Sequence, residues 1–146
     1  MKQIIILSLL VFTLFLSSCK EKKQETKSNV IVDTTNKIEV IDFYGKHRCV
    51  TCKEIEANAK YTVDTFFAEE QKKGIVVFKT VNVDDDANYK MAEAYEASGT
   101  ALFLNIIKDG KETHINLTDF GFSKGREQET FSNELKAKIE AALKKL

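Results

Sequence analysis

The chain contains no proline and no tryptophan, and only three cysteines and two histidines in 146 residues. Each scarcity excludes something. Without proline, the residue on which cis peptide bonds ordinarily depend is missing. With histidine only at His47 and His114 and cysteine only at Cys19, Cys49 and Cys52, a zinc site would lack the second ligand pair that such sites usually draw on. Lys plus Arg and Asp plus Glu each total 22, so the formal charge is balanced and nothing points to nucleic acid. No glycine-rich motif marks a flavin or dinucleotide site. There is no internal repeat, and the apolar run Ile4 to Leu16 is short for a membrane span, which needs about 20 residues.

What is present begins with Arg48-Cys49-Val50-Thr51-Cys52-Lys53. The Cys-x-x-Cys pair follows the apolar run Ile38 to Tyr44 and precedes a helix-like stretch from Glu54 to Ala59. Strand, short loop, paired cysteines and helix is the layout that thiol–disulfide exchange needs. A helix N-terminus aims unpaired N–H groups at the first sulfur and favours its thiolate. Two intervening residues let both sulfurs share one turn. A redox dithiol is therefore favoured over a structural zinc site.

The N-terminus carries a location signal. Met1-Lys2, the apolar run and Leu16-Ser17-Ser18-Cys19 read as a secretory segment and resemble a bacterial lipobox, in which the cysteine becomes the acylated first residue of the mature chain. The expected organisation is a signal peptide over 1–18, a flexible polar tether over 19–36 and one domain over 37–146. Acylation of Cys19 leaves Cys49 and Cys52 as an exclusive pair in an oxidising compartment. It would attach the protein to the cell-envelope membrane, facing the periplasm. A short strand at Val30-Ile31-Val32 is a further expectation.

Periodicity predicts a strand over Ile38–Tyr44, then a helix from Cys49 with Cys52, Ile55 and Ala59 on one face and a continuation through Thr62–Lys72. A β-branched strand follows over Ile75–Val83. Asp84-Asp85-Asp86 is suited to cap a helix over Ala87–Tyr95. A strand at Ala101–Ile107, an Asp109-Gly110 turn and a strand at Thr113–Leu117 make a hairpin. The last helix is expected over Ser132–Leu146, its stripe formed by Phe131, Leu135, Ile139, Ala142 and Leu146. His114 reads as exposed, and Phe120 and Phe122 as packing over that last helix, a partner-binding lip being the other reading.

This order, βα, βα, β-hairpin, α, together with Asp42-Phe43-Tyr44, Cys49 to Lys53, Val81 to Asp84 and Tyr95 to Gly110, resembles the thioredoxin fold: an α/β class with a central mixed sheet flanked by helices. More narrowly, Gly45 to Cys52 with Ile55-Glu56 resembles the ArsF-type family, small exported thioredoxin-like proteins often encoded in arsenic-resistance loci of Bacteroidetes. The resemblance implies thiol–disulfide exchange with a protein partner and no cofactor beyond the Cys49–Cys52 disulfide. Cys49 would attack and Cys52 resolve. Asp42 resembles the buried acid that assists proton transfer from the second cysteine, a surface Asp at a strand end being the other reading. Lys46, His47, Arg48 and Lys53 would favour the Cys49 thiolate, or simply be a solvated basic loop. His47 could also be a proton shuttle or third metal ligand. Thioredoxins place a cis-proline beside the cysteines, where this chain has Thr100-Ala101. A trans bond is expected there, and Ala101→Pro is expected to raise general reductase activity. The missing proline gives weight to an alternative in which Cys49 and Cys52 capture arsenite or a soft metal.

Overall fold

The computed structural model describes residues 36–146. The signal segment, Cys19, the tether up to Thr35 and the strand expected at Val30-Ile31-Val32 lie outside the described residues.

Strand β1 (Lys37–Tyr44) is buried along nearly its whole length, as an apolar run rich in β-branched residues demands of a central strand. Helix α1 (Val50–Phe66) follows and ends at Phe67, after which α2 (Ala68–Lys72) turns the chain toward β2 (Val76–Asn82). The continuous helix expected through Lys72 is thus broken at Phe67, whose side chain drops into the core. Strand β2 pairs with β1 in parallel, Val40 opposite Phe78 and Asp42 opposite Thr80. Asp85 accepts from the Ala87 N–H, but it caps a single 3₁₀ turn (Asp86–Asn88), and the helix proper is the short α3 (Tyr89–Ala94). Strand β3 (Ala101–Lys108) runs antiparallel to β1, and β4 (Lys111–Asn116) returns beside it. Asp109 and Gly110 make the turn with φ of 51° and 73°, the left-handed pair that a two-residue hairpin requires and that Asp-Gly supplies.

Two further features differ from expectation. A helix α4 (Thr118–Lys124) lies between the hairpin and the last helix, and α5 spans Gln128–Leu143. The Asn116 side chain accepts from the Thr118 N–H at 2.8 Å, and the Thr118 hydroxyl accepts from the Leu102 N–H at 3.2 Å, so α4 is fastened to β3 at its first residue. Seven residues carry too few periods for the pattern to announce a helix. Of the expected α5 stripe, Phe131, Leu135, Ile139 and Ala142 are buried, whereas Leu146 lies beyond the helix and is half-buried. Phe120 packs on Phe131, with ring centroids 4.9 Å apart, whereas Phe122 is exposed.

The sheet order is β2-β1-β3-β4. One face packs Ile38, Val40, Leu102 and Leu104 against α1 and α5, and the other packs Ile41, Phe43, Val81 and Phe103 beneath Tyr95 and Ala97 near α3. A βαβ unit followed by an antiparallel hairpin in this order, with helices on both faces, is the thioredoxin-like α/β arrangement.

Candidate functional site

Alternation along β1 decides where Asp42 points. Ile38 and Val40 belong to the face covered by α1 and α5, and Asp42 continues that register. It is wholly buried, near the C-terminal end of the strand, just before the loop that leads into α1. In that loop the Lys46 N–H donates to Asp84 Oδ2 at 2.5 Å, which ties it to the end of β2.

Cys49 is the N-cap of α1 and is exposed, whereas Cys52, on the first turn, is 7% exposed. The two form a disulfide with Cα atoms 5.0 Å apart. The Cys52 N–H donates to Cys49 Sγ at 3.0 Å, so the sulfur occupies the place of a capping oxygen. A donor there, backed by the helix dipole, stabilises negative charge on that sulfur once the disulfide opens.

Arg48 is not a solvated member of a basic loop. Its guanidinium donates to Glu56 Oε2, to the Cys52 carbonyl at 3.1 Å and to Asp42 Oδ2 at 3.4 Å, while its Cζ lies 4.8 Å from the centroid of the Tyr44 ring. The charge expected to favour the Cys49 thiolate is also engaged by two carboxylates, Glu56 and Asp42. Burial pushes the Asp42 carboxyl from its ordinary 3.8 up to about 7; Arg48 opposes the rise and Glu56 adds to it. Asp42 Oδ1 has no hydrogen-bond partner among the described residues.

Lys46, His47 and Lys53 are exposed and, with Arg48 and Cys49, line a shallow cleft of about 510 Å³. Thr100 and Ala101 line a different cleft of about 540 Å³, shared with Glu96, Asn116, Thr118 and Asp119. There is no cis peptide bond among the described residues, so Thr100–Ala101 is trans. Ala101 is the first residue of β3 and faces Phe43. Among the described residues no group of three His, Cys, Asp or Glu side chains is gathered as a metal centre would need. His114 stacks on Tyr95 with centroids 3.8 Å apart and contacts Glu112 at 3.1 Å.

Glu56 and Tyr44 belong to the motifs quoted for the resemblances, but the sequence assigns neither a role at the site. A signal for Glu56 existed: positions 48, 52 and 56 fall at successive intervals of four, so a helical stretch begun near Arg48 stacks all three along one face. Tyr44 ends the strand whose Asp42 it accompanies, and nothing in the sequence says that its ring carries an arginine.

No protein-family model matches the chain, and no curated protein matches it. Among solved structures, the chain is similar to a thioredoxin from Fasciola hepatica, at 22% identity over 68% of this chain and 83% of that one, with a TM-score of 0.39. It is also similar to a thioredoxin from Thermus thermophilus, at 17% identity over 68% of this chain and 73% of that one, with a TM-score of 0.44. The fold assignment rests on strand order and pairing rather than on these likenesses.

Proposed function

We propose that the protein is a thiol–disulfide oxidoreductase acting on protein partners. The observation that carries this reading is the asymmetry of the pair: an exposed Cys49 sulfur receives a helix N-terminal N–H, while its disulfide partner Cys52 is buried and its carbonyl shares the Arg48 guanidinium with Asp42. In the reducing direction, the Cys49 thiolate attacks a partner disulfide, and one partner sulfur leaves as thiolate. The Cys52 thiol gives its proton to the Asp42 carboxylate and attacks Cys49 Sγ. The second partner thiolate leaves, the Cys49–Cys52 disulfide re-forms, and two electrons have passed to the partner. The reverse sequence oxidises a partner dithiol.

Trapping tests this directly. A Cys52→Ser variant should accumulate mixed disulfides through Cys49, and a Cys49→Ser variant should form none and lose insulin reduction by dithiothreitol-recycled protein. Equal activity in Cys49→Ser and wild type would end the reading.

The Leu16-Ser17-Ser18-Cys19 motif supports placing this activity at the envelope, on a lipid carried by Cys19. Mass spectrometry of the native N-terminus, beside a Cys19→Ala variant, tests this; an unmodified Cys19 on a protein that fractionates as soluble would refute it. The alternative reading, capture of arsenite or a soft metal by the two thiolates, draws on the ArsF-type resemblance and on the chemistry of two adjacent thiolates, which suits soft ions. Its measurement is the reduction potential of the Cys49–Cys52 couple with and without arsenite. Arsenite held by the reduced pair makes the disulfide harder to re-form and raises the apparent potential, while an unchanged potential removes the alternative.

A further inference from the structure

Glu56 and Arg48 take no part in the exchange steps written above, yet they form the most densely connected polar cluster beside the cysteines. Arg48 is held from several directions. Tyr44 lies under its guanidinium plane, Glu56 takes Nη1, and the Cys52 carbonyl takes Nη2 at 3.1 Å. The same Nη2 reaches Asp42 Oδ2 at the longer distance of 3.4 Å. A guanidinium offers a rigid planar fork, so a strong commitment on one side limits what it can give on the other. Glu56 has the close contact and Asp42 the loose one. The contact to the Cys52 carbonyl ties this balance to the turn that carries the resolving sulfur.

We propose that Arg48 is a positioning residue for the resolving half of the exchange, its fork shared between Asp42 and Glu56 so that Glu56, by competing for it, sets how readily Asp42 takes the proton of the Cys52 thiol. This rests on the oxidoreductase reading of the same site.

The surroundings of Asp42 leave few other groups to do this. The charges acting on it are Arg48 from the loop and Glu56 from α1. Its strand neighbours are Thr80 on β2 and Leu102 on β3, neither of them charged. From α5 this face receives Phe131, Leu135, Ile139 and Ala142. Cys52, whose carbonyl shares the Arg48 guanidinium with Asp42, is buried on the helix that covers this face. Asp42 Oδ1 and Arg48 Nε are both buried without a hydrogen-bond partner among the described residues, so the cluster retains an acceptor for a transferred proton.

Removing the two partners of Asp42 should have opposite consequences. In Glu56→Gln the guanidinium is released toward Asp42 and a like charge is gone, so Asp42 keeps its negative charge to lower pH. In Arg48→Met the attraction is gone and Glu56 still repels, so Asp42 holds its proton to higher pH.

The test uses reduced protein and 5,5′-dithiobis(2-nitrobenzoate). Cys49 attacks and releases one thionitrobenzoate. Cys52 then displaces the second, closing the disulfide as its proton goes to Asp42. The pH dependence of the second release is compared with the titration of the Asp42 carboxyl carbon by NMR in wild type, Arg48→Met and Glu56→Gln. The expected result is a midpoint lower by about one pH unit in Glu56→Gln and higher by about one in Arg48→Met, in both readouts. Arg48→Lys, which keeps charge but not the fork, should fall between wild type and Arg48→Met, and it replaces Arg48→Met if that variant does not fold. Shifts in the same direction, or none, overturn the proposal, since a merely structural role would not move the two midpoints oppositely. If the wild type never releases the second thionitrobenzoate, the oxidoreductase reading falls and the proposal with it. If it does so with the same pH dependence in every variant, the reading stands and the proposal alone is lost.

Discussion

Glu39 and Asp42 are three residues apart on β1, both buried, and on opposite faces of the sheet. Their treatment differs. Glu39 is met by Lys79 and by Lys37 at 3.7 Å on one oxygen, and by the Asn105 amide at 3.2 Å on the other. Asp42 has a single arginine at 3.4 Å, shared with Glu56, and one oxygen without a partner. A buried carboxylate with both oxygens paired is a structural device. A buried carboxyl left half-paired holds its proton into the neutral range and can exchange it there. The comparison separates a fully paired carboxylate from a half-paired one on the same strand, and it is the second that lies on the side of α1.

The largest expected effect attacks the comparison directly. The folded chain binds the Asp42 proton up to about pH 7, whereas the unfolded chain releases it near 3.8. Stability therefore falls as pH rises through that window; the penalty is absent below it and complete above it. Three pKa units correspond to about 4 kcal/mol. Asp42→Asn should abolish that part of the pH dependence and unfold at higher urea than wild type at pH 8, while slowing mixed-disulfide resolution about a hundred-fold. Urea melts at pH 5 and pH 8 check the first, and stopped-flow exchange the second. A variant less stable than wild type at pH 8 would show that Asp42 is held as Glu39 is.

Next in size is a change on the covered face. A Cβ at Gly125 would stand 2.6 Å from the Gly121 carbonyl oxygen and 2.8 Å from an Ile55 carbon, and the Gly125 carbonyl accepts from buried Asn58 at 2.7 Å. Gly125→Ala should cost about 2 kcal/mol, the range of an overpacked core, by forcing α4 away from the turns of α1 that follow Cys52. Equilibrium denaturation measures it. A neutral result would mean that α4 gives way freely and does not brace the site.

Glu39→Gln comes third. It should cost about 1–2 kcal/mol, because Lys79 is partly exposed and can turn to water while Asn105 keeps an amide partner. Exchange kinetics should match wild type. A loss of exchange activity in folded Glu39→Gln would break the separation of the two faces.

What the sequence made legible follows from length and period. The strands at Ile38, Val76 and Ala101 and the stripe of α5 are long enough for their apolar spacing to speak. The Cys49–Cys52 layout was equally plain, since the residues that make it are contiguous. Helix α4 escaped because seven residues fastened by Asn116 and Thr118 carry no sustained period. The Arg48 cluster escaped for another reason: the charges of Arg48, Asp42 and Glu56 look the same in sequence whether they face water or one another. Only the fold, by burying Asp42 and ending β1 at Tyr44, turns Arg48 inward.

The smallest effect concerns Ala101 and sharpens the division between the faces. The Leu102 N–H is taken by Thr118 and its carbonyl by the Leu117 N–H, so both point away from β1. By the alternation of an antiparallel ladder, the N–H and carbonyl of Ala101 point toward Phe43. Proline at 101 removes that N–H from the junction with the central strand. The expectation of a gain in reductase activity is thereby replaced by an expected loss of about 1 kcal/mol, the worth of one ladder bond. The side chain of Ala101 belongs to the face with Phe43 and Tyr95, whereas Leu102, opposite Asp42, belongs to the face of α1. Ala101→Pro should therefore lower the urea midpoint and leave the carboxyl titration of Asp42 where it is in wild type. A shifted Asp42 titration would mean that the start of β3 transmits strain across the sheet, and that the two carboxylates of β1 are not independently held.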